Sequence, residues 1–130
     1  MDFILTIHGL MRWLVAIAGL IAIIKFAYGW LSRAEYTPLD KRIMSIFTIL
    51  LDINVLLGLI LLFGLPGGLT PDRLEHTTTM ILAAVTAHLS AFWRKSPNSS
   101  TKFRNNLIVV VVAMIFVLMG VTRLRGGWIF

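Results

Sequence analysis

The sequence predicts an all-α integral membrane protein, a four-transmembrane-helix up-down antiparallel bundle, and three observations lead there. Hydrophobic residues make up 58% of the 130-residue chain and charged residues only 14%, far from the usual globular mix. The apolar residues gather into four runs, each near the ~20 residues that a helix needs to cross a bilayer core. The segments between the runs are short and rich in turn and cap signals, so consecutive helices are antiparallel neighbours.

The first run, Phe3 to Trp30, is too long for a signal-peptide core and lacks a small-residue cleavage site, so it reads as a first span. Thr37-Pro38-Leu39-Asp40 sets a capping hydroxyl, a first-turn proline and a first-turn acid ahead of the second span, Ile43 to Leu65. Pro66-Gly67-Gly68 ends that span. Thr70-Pro71-Asp72 opens the third, Leu74 to Trp93, and Ser96-Pro97-Asn98-Ser99-Ser100 separates it from the fourth, Leu107 to Leu124. Residues 1–130 thus form one four-helix transmembrane domain, without internal repeat or low-complexity segment.

The net charge of +6 does not point to nucleic acid, because the basic residues sit in clusters between apolar runs and form no continuous face. Membrane topology and anionic lipid headgroups account for them. Arg33, Lys41, Arg42, Arg94, Lys95, Lys102 and Arg104, with Lys25 near, fall at one face; Arg73, Arg123 and Arg125 fall at the other. By the positive-inside rule the richer face is cytoplasmic and both termini lie outside. Trp30 and Trp93 mark the cytoplasmic interface. The chain has no cysteine, which excludes disulfides, thiolate-held clusters, covalent haem attachment and a cysteine nucleophile.

Ionisable side chains inside a span are costly, face the bundle interior and mark candidate functional sites. His8, Arg12, Asp52, His76 and His88 are such groups, and Asn54 is a further polar one. His8 and His76 both lie within about two turns of the outer face, on helices running the same way. First and third helices are diagonal in an up-down bundle, so the two imidazoles can face each other across the core as axial ligands of a flat macrocycle. Arg12, one turn below His8 on the same face, can bind a cofactor carboxylate or pair with Asp52. Asp52, Asn54 and His88 lie near mid-membrane, where Asp52 has Arg12 and His88 as candidate partners. His76 and His88, twelve residues apart in the sequence, are rotated by roughly 120° on the helix and do not share a face. One haem, or one plus a site with an unusual ligand, therefore fits the pattern better than two bis-histidine haems. Gly9, Gly19, Gly58 and Gly120 read as sites of close helix packing, and Met11, Met80, Met114 and Met119 as space fillers able to supply sulfur.

The segments His8-Gly9-Leu10-Met11-Arg12-Trp13, Asp52-Ile53-Asn54 with Leu56-Leu57-Gly58-Leu59, Glu75-His76 with Met80, and Ala87-His88 resemble small bacterial four-helix membrane proteins labelled cytochrome b-like. The likeness runs from the first helix through the third. It implies haem b, electron transfer and a multi-pass protein of the bacterial cytoplasmic (inner) membrane, with His8 and His76 as axial ligands and Arg12 near a propionate. The expected partners are the lipid bilayer, other membrane or electron-transfer proteins, a quinone or quinol, and a second copy in a homo-oligomer. An electron-transfer protein or subunit is expected rather than a free-standing enzyme. Two rival readings stay open. One is a cofactor-free accessory subunit of a larger membrane complex, its polar groups holding helices in register. The other is a metal- or proton-handling protein using Arg12, Asp52, His76 and His88.

Overall fold

Backbone amides in an apolar medium must be satisfied within their own segment, and the chain meets this demand with helices throughout. The computed structural model describes residues 1–126, of Arg125 the backbone alone. The Arg125 side chain and the C-terminus at Phe130, both used in the orientation argument, lie outside the described residues. Helix α1 covers Asp2–Leu31, α2 Pro38–Gly64, α3 Pro71–His88 and α4 Ser99–Arg125, and a short 3-10 turn, Leu89–Phe92, continues α3.

The helix starts follow the local chemistry. Asp40 accepts from the Thr37 backbone N–H at 2.9 Å and from its hydroxyl at 3.0 Å, which ties the N-cap residue to the first turn of α2. Asn98 accepts from the Thr101 N–H at 3.1 Å, so α4 begins about two turns before the apolar run predicted from Leu107. At the end of α1, Arg33 adopts φ 56° while the Ala34 N–H reaches the Gly29 carbonyl at 3.0 Å, a left-handed closure that usually falls to glycine.

The helices form a ring in which each packs against its chain neighbours and α4 closes back on α1. Consecutive helices are antiparallel: His8 lies against Gly58, Lys25 pairs with Asp40 and His76 meets Gly120. The core is filled by Val15, Ala22 and Phe26 of α1, Met44, Phe47 and Leu51 of α2, Ala83 and Ala87 of α3, and Phe103 through Val121 of α4. Gly29 makes room for Phe103, since a Cβ there would come within 2.5 Å of that ring.

The outer surface also carries many large apolar side chains. Leu10, Ile17, Leu20 and Ile24 on α1 are all more than half exposed, at a spacing that paints one helix face with hydrocarbon. Water does not stabilise such a face, and lipid does. Helices α1, α2 and α4 are each long and apolar enough to cross a membrane. Helix α3 is shorter and more polar, with Asp72, Arg73, Glu75, His76 and Thr77 to Thr79 in its first half.

Candidate functional site

The polar groups predicted within the spans are brought together as two separate sites. The first lies between the start of α1, the end of α2, the start of α3 and the end of α4. His8 and His76 meet there, their ring centroids 6.4 Å apart and their planes at 86°. Each ring rests on a glycine of a neighbouring helix. A Cβ at Gly58 would stand 3.1 Å from His8 Cε1, and one at Gly120 would stand 3.5 Å from His76 Nδ1. The close approach at Gly120 also lets the His76 Nδ1 lie 2.9 Å from the Gly120 carbonyl oxygen. A carbonyl only accepts, so Nδ1 carries the proton in this contact.

Arg12 lines the same cavity and is buried, 7% exposed, with its guanidinium 5.3 Å from the Trp13 ring. Asn54 lines it as well, and its side-chain oxygen is buried with no hydrogen-bond partner among the described residues. Met80 is a further lining residue, and Leu5, Val15, Val55 and Leu59 give the remainder an apolar wall. The cavity volume is about 160 Å³.

This donor set fits a metal held between two imidazoles. Each imidazole carries a nitrogen donor of the kind that would hold such a metal. Arg12 brings a permanent positive charge to an apolar wall, which is what an anionic group on a bound cofactor needs. Among the described residues no cluster of three or more His, Asp or Glu side chains could hold a bare metal ion.

The second site joins α2 to α3. His88 Nε2 lies 2.7 Å from Asp52 Oδ2, so of the two partners expected for Asp52 the structure shows His88. The pair lines a larger cavity, about 570 Å³, that runs toward Tyr36, Trp93 and the start of α4. Asp52→Asn is expected to melt above Asp52→Leu in detergent by a margin worth about 1 kcal/mol, because the amide keeps a hydrogen bond to His88 that leucine cannot make. Equal melting points for the two variants would show that nothing depends on the polar link.

Two polar features escaped the sequence reading. Lys25 Nζ approaches the fully buried Asp40 at 2.6 Å; the clue was a lysine inside an apolar run, which needs a partner nearby. Trp93 donates through Nε1 to Asn106 at 2.7 Å, and Asn106 donates to the Tyr36 hydroxyl at 2.8 Å. This chain ties the α1–α2 and α3–α4 connections to each other. Of the four glycines expected at helix contacts, Gly19, Gly58 and Gly120 face side chains of other helices, while Gly9 faces open space.

Comparison with protein-family models, with curated proteins and with solved structures finds no match to this chain.

Proposed function

We propose that this chain is a four-span membrane protein that holds b-type haem between His8 and His76 and carries electrons to or from a partner in the bilayer. The observation that carries the reading is the pair of imidazoles on diagonal helices with centroids 6.4 Å apart, one of them turned by a backbone carbonyl so that Nε2 faces away from it. A bound haem would supply a one-electron couple. The chain's own groups do the rest: Gly58 and Gly120 admit the two rings, the Gly120 carbonyl fixes the His76 tautomer, and Arg12 offers its charge to a propionate. The apolar wall excludes water and lowers the local dielectric, which tunes the potential.

In this reading α3 and its 3-10 turn form the third span. Together they reach about 35 Å at the rises of the two helix types, enough for a hydrocarbon core of about 30 Å. The polar first half of α3 is then explained by the site it builds.

The test is a visible absorption spectrum of detergent-purified protein made with ample haem, oxidised and then reduced. A sharp b-type α band on reduction is expected. A preparation without haem removes the reading. The cavity volume of about 160 Å³ favours one rival, since sites for larger organic ligands usually span ~300–1,000 Å³. In that rival, His8 and His76, with Met80 beside them, take a soft metal ion instead. Elemental analysis of the haem-free protein decides it: about one metal per chain, lost in His8→Ala, is its signature.

Orientation follows from charge. With most Lys and Arg on the side of the α1–α2 and α3–α4 connections, those connections face the cytoplasm and both termini face outward. A reporter fused after Phe130 is expected to work only if it needs the extracytoplasmic space; activity of a cytoplasm-only reporter reverses the assignment.

A further inference from the structure

The second cavity has a chemistry that electron transfer through His8 and His76 does not use. It is lined by Lys41 at the start of α2, Arg94 just after the 3-10 turn and Lys102 in the first turn of α4. None of the three is in an ion pair among the described residues. The lining's one carboxylate, Asp52, is already engaged by His88 at 2.7 Å. Three cations therefore share a concave surface with no anion of their own to neutralise them.

The wall adds a neutral donor in a fixed place. The Tyr36 hydroxyl accepts from Asn106 at 2.8 Å, so its own proton remains to be given. Burial pushes the Tyr36 phenol above its ordinary range, which keeps that proton in place at any physiological pH. Lys102 Nζ stands 5.1 Å from the centre of the same ring, so the phenol also steers one cation. Trp93, whose indole anchors the chain of hydrogen bonds through Asn106, sits where the helix leaves its apolar stretch, the level of lipid headgroups.

We propose that this cavity binds the phosphate of an anionic phospholipid, gripped by Lys41, Arg94 and Lys102 and by the Tyr36 hydroxyl. Basic pockets between membrane helices are suited to such headgroups. The geometry also leaves room for the acyl chains. Helices α2 and α3 touch less than any other neighbouring pair, and the cavity continues along their seam past Ile49 toward Asp52. A free phosphate would meet the same donors without needing the seam, so the two sources are separable.

The experiment uses the full-length protein, delipidated in detergent. Its thermal melting is followed with added phosphatidylglycerol, phosphatidylcholine or inorganic phosphate, and lipid retention is read by native mass spectrometry. Phosphatidylglycerol is expected to raise the melting point and to remain at one molecule per chain, with phosphatidylcholine and inorganic phosphate giving neither effect. The triple variant Lys41→Gln, Arg94→Gln, Lys102→Gln is expected to bind phosphatidylglycerol about a hundredfold more weakly. The matched variant Arg42→Gln, Lys95→Gln, Arg104→Gln, which removes exposed charges outside the cavity, is expected to bind as the native protein does. Tyr36→Phe, which preserves the ring, serves if the triple variant fails to fold, with a several-fold loss expected. Equal response to the two lipids overturns the proposal, as does equal loss in the two triple variants. Full stabilisation by inorganic phosphate alone overturns the lipid assignment.

Discussion

Asp40→Leu is expected to destabilise the detergent-solubilised protein by about 3 kcal/mol, the lower end of the range for breaking a buried ion pair. The Asp40 carboxylate is fully buried. One oxygen lies 2.6 Å from Lys25 Nζ; the other accepts from the Thr37 N–H and hydroxyl. Leucine removes all three partners at once. It strands a lysine inside the bundle and frees the backbone donor that opens α2, an orphan that a cap normally satisfies. The loss stays at the low end because the Lys25 side chain is 34% exposed and can lift its ammonium toward the headgroups. Asp40→Asn keeps an oxygen for Thr37 but gives up the charge and the acceptor that faces Lys25, so about half the loss is expected. Lys25→Met with Asp40→Leu is expected to recover most of it, since no unpaired charge is left. Chemical unfolding of the native protein, Asp40→Leu, Lys25→Met and the double variant measures the cycle, with Asp40→Asn beside them. A double variant as weak as the single one would locate the contribution in the Thr37 cap rather than in the ion pair.

The four helices were legible from their apolar runs, and α2 and α3 also from caps. Thr37 with Asp40, and Thr70 with Pro71, mark the starts of α2 and α3 within a residue. Helix α4 starts about two turns ahead of the apolar run from Leu107, since Lys102, Arg104, Asn105 and Asn106 carry no hydrophobic signal and are helical through the Asn98 cap. The third helix carries the weakest apolar signal because its first half is polar: Arg73, His76 and Thr77 line the first cavity, while Glu75 pairs with Arg123.

The meeting of His8 with His76 was legible because it needs only depth and helix order. The division of the polar groups into two sites was not. Arg12 and Asn54 turn to the cavity of the histidines, whereas Asp52, two residues before Asn54, turns to His88. Adjacent positions on a helix differ by about 100° in direction, so a boundary error of one residue exchanges the faces. The Lys25–Asp40 pair and the Trp93–Asn106–Tyr36 chain join residues far apart in sequence through loop conformations, and no periodicity encodes those.

His8→Ala and His76→Ala are each expected to lower the haem-to-protein ratio of the purified protein at least about tenfold, the scale on which losses around a metal site are felt. In the proposed reading the two imidazoles, with centroids 6.4 Å apart, hold the haem together, so removing either ring would release it. Any haem retained would be five-coordinate, and its spectrum would move to high spin. His88→Ala is expected to leave ratio and spectrum unchanged, because His88 is held by Asp52 at the other cavity. Arg12→Gln separates binding from tuning. Its charge sits in an apolar wall one turn below His8, where a cation disfavours the ferric state, so its removal lowers the midpoint potential even where haem is retained. Gly58→Leu would drive a side chain into the His8 ring and is expected to mimic His8→Ala without touching a ligand. Loss of haem in His88→Ala alone would assign the ligand to the wrong cavity. An unchanged haem ratio in His8→Ala and His76→Ala would remove the site altogether.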